Sequence, residues 1–215
     1  MVGTSLKYND PARQLKKRIA EYESVLAKLE NSYQDKAIND AATAAKRSWK
    51  PIKQALMTAL VSTDRETMRK QAQFLHHNVH TLIEKFMSLK KHLLSAGKIE
   101  HPREMDAVLD IAFASRQLSS QYLLMMWKIP DNTLMQDWTK GVAAHRKSLK
   151  LLEESYLGDN PKFQSSIKRI KKAVKYLVMG MTFASEETFM PSLFHKKCNI
   201  IFREANSMAN QIANK

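Results

Sequence analysis

Apolar residues recur at alternating spacings of four and three in segment after segment of the 215-residue chain, the stripe of a helix that buries one side along its neighbours. The first stripe is Leu15, Ile19, Tyr22, Leu26, Leu29 and Tyr33, with Asp10 placed to cap it and Pro11 in its first turn. A second, Ile38, Ala42, Ala45, Trp49, Ile52, Leu56 and Ala59, contains Pro51, which predicts a kink near Arg47. The third opens on the capping box Thr63-Asp64-Arg65-Glu66, continues through Met68, Ala72, Leu75, Val79, Leu82, Phe86, Leu89 and Leu93, and stops at Gly97. His101-Pro102 opens a fourth helix that runs to about Trp127, where Ile129-Pro130-Asp131 breaks it. Asp131 or Asn132 caps a fifth, Trp138, Val142, His145, Leu149, Leu152 and Tyr156, closed by the turn at Gly158-Asp159-Asn160-Pro161. The sixth carries Phe163, Ile167, Ile170, Val174, Leu177 and Met181. After a polar bend at Ser185-Glu186-Glu187 and Pro191, the seventh carries Phe194, Cys198, Ile201, Ala205, Met208 and Ile212.

Seven helices joined by short connections predict antiparallel neighbours. Ile19 to Tyr33 is repeated as Val142 to Tyr156, with identical residues at Ala20/Ala143, Leu26/Leu149, Leu29/Leu152, Glu30/Glu153, Ser32/Ser155 and Tyr33/Tyr156. The expected fold is therefore all-α: an elongated antiparallel up-and-down helix bundle of tandem four-helix-bundle-like modules. Residues 1–98 form a module of three helices that lacks its opening helix, and residues 99–215 form a complete one. The missing helix could come from the fourth helix or from a second chain, or the long third helix could run on beside the fourth.

Composition adds a charge and removes some classes. The formal net charge is +14, with 18 Lys and Arg against nine acids in residues 1–98 and 17 against 12 in residues 99–215. Such a balance suits nucleic acid, anionic membrane, acidic proteins or small anions, and singles out none of them. No stretch approaches the roughly 20 apolar residues that span a bilayer, and the N-terminal segment lacks the apolar core of a signal peptide. The single Cys198 lies on an apolar stripe and reads as a buried thiol.

The fourth helix departs from simple amphipathicity. Beside its core seam a second row places Arg116 and serine hydroxyls among Leu109, Phe113 and Leu123. A guanidinium drawn into apolar surroundings needs an acceptor, which a carboxylate, a helix C-terminus or a bound planar oxyanion supplies. Arg116, Gln117, Ser119 and Ser120 are thus the candidate ligand contacts, with Gln121 beside them.

The stretch Ile111-Ala112-Phe113-Ala114-Ser115-Arg116-Gln117-Leu118-Ser119-Ser120-Gln121 resembles the Arg-Met-Leu-Ser-Gln-Arg signature on the first helix of PilJ-type sensor domains, relatives of the NarX-type nitrate and nitrite sensors. Arg116, Leu118 and Ser119 match that signature directly, whereas Gln117, Ser120 and Gln121 depart from it. Trp49-Lys50-Pro51, Trp127-Lys128-Ile129-Pro130 and Phe189-Met190-Pro191 extend the likeness. The resemblance implies a periplasmic, dimeric four-helix bundle for signal transduction in chemotaxis, one that passes ligand binding to a signalling partner by helix displacement. It also implies that Arg116 meets an anion at a subunit interface.

Enzyme signatures are missing: there is no Gly-rich phosphate loop, no His-Glu-x-x-His and no ordered catalytic triad, so no catalytic residue and no cofactor is predicted. His76, His77 and His80 read as a solvated turn rather than a metal site. Lys168-Arg169-Ile170-Lys171-Lys172 reads as the wet side of the sixth helix. The expected function is non-enzymatic recognition of a small anion or protein partner. The rival is a basic scaffold for polyanions, whether nucleic acid or anionic membrane, or for a coiled-coil protein.

Overall fold

The computed structural model describes residues 11–32, 35–97, 99–126, 128, 133–185 and 189–213, and the chain is all-α, with no strand among them. The helices are α1 (Pro11–Ser32), α2 (Lys36–Val61), α3 (Arg65–Ala96), α4 (Pro102–Met126), α5 (Leu134–Glu154), α6 (Tyr156–Asp159), α7 (Pro161–Ser185) and α8 (Pro191–Ala213). Proline holds the first position of α1, α4, α7 and α8. There its missing N–H forfeits no helical bond and its fixed φ already suits the helix. Pro51 falls inside α2, which continues through it.

Three helix ends differ from the sequence reading. The cap of α3 is Asp64 rather than Thr63: its carboxylate accepts the N–H groups of Glu66 and Thr67 at 3.3 and 2.8 Å and the Thr67 hydroxyl at 2.6 Å. The fifth helix stops at Glu154 instead of running to Tyr156, because Ser155 donates to the Leu152 carbonyl and accepts from the Leu157 N–H, which turns the chain into the short α6. Thr133 precedes α5 without a side-chain cap bond. Asp10, Asp131 and Asn132 lie outside the described residues.

The chain divides into two compact units, at residues 11–97 and 99–213 of the described chain. In the first, α2 packs closely on α3 and more loosely on α1. Tyr22 of α1 meets Trp49 of α2 and Phe86 of α3 at ring centroid separations of 4.5 and 5.5 Å. Lys53 and Lys46 of α2 reach Glu23 and Glu30 of α1 at 2.7 Å each. These partly exposed pairs add register more than stability.

The second unit is a closed circuit in which α4 packs on α5 and α8, α7 packs on α8, and α5 and α7 close it more loosely. Paired contacts run in opposite sequence directions across every side of it. Leu118 and Tyr122 of α4 meet Gly141 and Trp138 of α5, while Ser166 and Gly180 of α7 meet Glu204 and Phe194 of α8. The circuit is therefore an up-down-up-down bundle. Its core holds Trp138, Tyr122, Phe194, Phe163, Ile170, Leu177 and Ile201, and Tyr122 stacks on Phe194 at 4.2 Å and 10°.

The two units share a burial pattern. The six buried residues of α2, Ile38, Ala41, Ala42, Ala45, Ile52 and Ala55, each fall 125 positions before a buried residue of α7: Phe163, Ser166, Ile167, Ile170, Leu177 and Gly180. Thus α1 and α2 correspond to α5 and α7, and α4 has no counterpart in the first unit.

Candidate functional site

Along α4, Arg116 and Ser119 are three residues apart and share one side; across from them α8 presents His195, Asn199 and Phe202 at spacings of four and three. Because the helices are antiparallel, the two rows meet in reverse order. Arg116 donates from Nη1 to Oδ1 of Asn199, and its guanidinium carbon lies 3.9 Å from the centroid of the Phe202 ring. One turn along, Ser119 Oγ and His195 Nδ1 share a hydrogen bond of 3.2 Å, whose direction follows the imidazole tautomer. The buried Cys198 thiol lies on the same side, close enough for Ser119 to favour its thiolate.

Arg116 itself is exposed, which corrects the expectation of an inward guanidinium. The face of α4 that meets α5 and α8 is filled by Ser115, Leu118, Ser119 and Tyr122. Arg116 lies at its rim, exposed, with its guanidinium over the Phe202 ring. Ser119 is buried, but Ser120 is exposed and donates to the Arg116 carbonyl of its own helix, so it points away from the row. Gln117 is half-buried one residue past Arg116, outside the pairs that join α4 to α8. The structure thus brings Arg116 and Ser119 together and leaves Gln117 and Ser120 apart from them. Gln121 is buried with neither amide atom bonded to a protein partner among the described residues.

The electrostatics follow from this placement. Burial, and then the Arg116 charge, lowers the His195 pKa, so the imidazole is neutral more readily than an ordinary one. Burial pushes the Cys198 thiol up to about 12, against the opposing pull of Ser119 and Arg116, which leaves it protonated and a poor nucleophile at neutral pH.

Sequence reasoning missed His195, Asn199 and Phe202. They form a second row one residue displaced from the Phe194, Cys198, Ile201 seam, and that parallel polar spacing was the available signal. The histidines of α3 differ from expectation too: His77 is exposed, but His76 is buried, its ring 5.4 Å from that of His80. Among the described residues no group of three or more His, Cys, Asp or Glu could hold a metal ion. The Lys168, Arg169, Lys171 and Lys172 side chains face solvent, as the charge pattern predicted. No described helix is long and apolar enough to cross a membrane.

A separate groove of about 430 Å³ lies between α5 and α7, lined by Trp138, Thr139, Val142, Ala143, Arg146 and Val178. It shares no residue with the α4–α8 row. Comparison with family models, with curated proteins and with solved structures returns no match for this chain.

Proposed function

We propose that the chain is a non-enzymatic recognition module of the kind its PilJ-like stretch implies, and that the α4–α8 row takes a small oxyanion. The observation that carries this reading is the meeting of Arg116 and His195 across two helices, with the Asn199 amide and the Ser119 hydroxyl between them. An oxyanion seated there accepts from the Arg116 guanidinium and from a protonated imidazole, which relieves the repulsion between the two cations. Because one contact comes from α4 and the other from α8, occupancy changes the relation of those helices, which is the displacement a sensor transmits.

Titration of the full chain with nitrate, nitrite, sulfate and small carboxylates, read by thermal shift and by the NMR titration of His195, tests the reading. An effective anion raises both the melting temperature and the His195 pKa in the wild type, and Arg116→Ala abolishes both responses. Absence of a response to every anion removes the small-anion reading.

A second reading, a scaffold for polyanions, draws on the solvent-facing basic row of α7. It requires binding of duplex, single strand or anionic vesicles that falls steeply with salt.

A further inference from the structure

We propose that the corner left open in the first unit, between α1 and α3, is a docking slot for an amphipathic helix of a partner protein whose apolar stripe is flanked by carboxylates. The internal repeat carries the argument. In the second unit the corner between α5 and α8 is filled by α4, and the first unit has equivalents of α5, α7 and α8 but none of α4.

The consequence is visible in burial. Ser148 of α5 is buried at 8% exposure, whereas Val25, its equivalent 123 residues earlier on α1, is an apolar residue at 55%. All six seam residues of α8, Phe194, Cys198, Ile201, Ala205, Met208 and Ile212, are buried. On α3 only Leu82 and Leu89 of its eight-residue seam are, and Leu75, Val79, Phe86 and Leu93 stay half-covered. A helical seam built to α8's pattern but covered on fewer sides lacks a neighbour.

Charge selects the occupant. Helices α1 and α3 together carry eleven Lys and Arg against five acids. Four of those acids, Glu21, Glu23, Glu30 and Glu66, already meet cations of their own unit. A second copy brings the same two basic helices to the same face, so pairing of two open corners sets like net charge against like. A helix with acidic flanks suits the slot, and α4 shows the type: it enters its own corner with Glu104, Asp106 and Asp110 beside an apolar stripe. The open corner belongs to a different unit from the anion row and shares no residue with it.

A fluorescent 25-residue peptide with the α4 sequence, carrying Arg103→Glu and Arg116→Glu so that its flanks are acidic, is the probe for the full-length chain. The expected result is saturable binding that weakens with salt and falls by about tenfold or more when Val25→Asp places a carboxylate in the slot. Because Val25 is exposed, the variant should keep its helical circular dichroism; if it does not, Val25→Ser carries the same comparison. No binding, or binding indifferent to both Val25 variants, overturns the proposal. So does a solution mass of two chains that Val25→Asp reduces to one, which would make a second copy the occupant.

Discussion

Ser166 of α7 donates a 2.8 Å hydrogen bond to Glu204 of α8, and the same carboxylate receives Arg169 Nε at 3.2 Å, with the Glu204 side chain only 9% exposed. This is a polar link inside an apolar interface, and in the first unit the equivalent of Ser166 is Ala41. Ser166→Ala should cost about 1 kcal/mol and Glu204→Ala about 2–3 kcal/mol, because the second change leaves a buried hydroxyl and a guanidinium without their acceptor. Urea unfolding followed by circular dichroism checks both; equal effects would show that the carboxylate does not organise the link.

Gly180 is where the repeat departs for reasons of space. A Cβ built on it would lie 2.7 Å from Phe194 Cε2 and 2.9 Å from Trp138 Cζ2, two buried rings of the core, whereas its equivalent in α2 is Ala55. Gly180→Ala gains about 1 kcal/mol in helix propensity but forces rings that are themselves packed, so a net loss of about 1–3 kcal/mol is expected. Ala55→Gly has no such clash to relieve and should lose stability simply by propensity and burial. If Gly180→Ala raises the melting temperature, the ring packing is looser than described.

The helices were legible because their signal is local: four-and-three spacing set the stripes, and Pro11, Pro102 and Pro191 set three of the starts. Ser155 was not, since a serine between Glu154 and Tyr156 reads as helix surface until its hydroxyl is seen bonding both ways. Arg116 and Ser119 were legible as an interruption in an apolar row. Their partners were not, because His195 and Asn199 lie 76 and 83 residues away and depend on how α8 is rotated against α4. Rotation by one residue would exchange the His195 row for the Phe194 seam, and only the packed core of Tyr122, Trp138 and Phe194 decides between them. The exposure of Arg116 had the same cause: sequence places a residue on a stripe, but which part of the stripe a neighbour covers is a tertiary property.

Tyr122 ties α8 to the core at its first turn. Its hydroxyl accepts the Met190 N–H at 2.9 Å, immediately before Pro191 begins α8, while its ring stacks on Phe194. Tyr122→Phe keeps the stack and removes the acceptor, so a loss of about 1 kcal/mol is expected. The Met190 amide should exchange faster with deuterium while core amides of α8 change little. Exchange slowed uniformly along α8 would mean that the hydroxyl strains the helix start instead of anchoring it.

His145 predicts a pH dependence. It is fully buried on α5, neither ring nitrogen has a protein hydrogen-bond partner among the described residues, and burial lowers its pKa from 6.5 to about 4. The unfolded chain therefore takes up the proton first as pH falls. Stability is complete above pH 6.5, declines between there and about pH 4, and loses no more from this group below that. The span of the shift corresponds to stability on the order of 3 kcal/mol. His145→Leu should remove most of that slope and stabilise the fold at pH 5 relative to the wild type, since an apolar residue of similar size has no proton to take up. A smaller dependence of the same sign should persist, because His195 also has a lowered pKa. Chemical denaturation of both proteins at pH 7 and pH 5 measures the difference, and parallel losses in wild type and variant would place the pH sensitivity elsewhere.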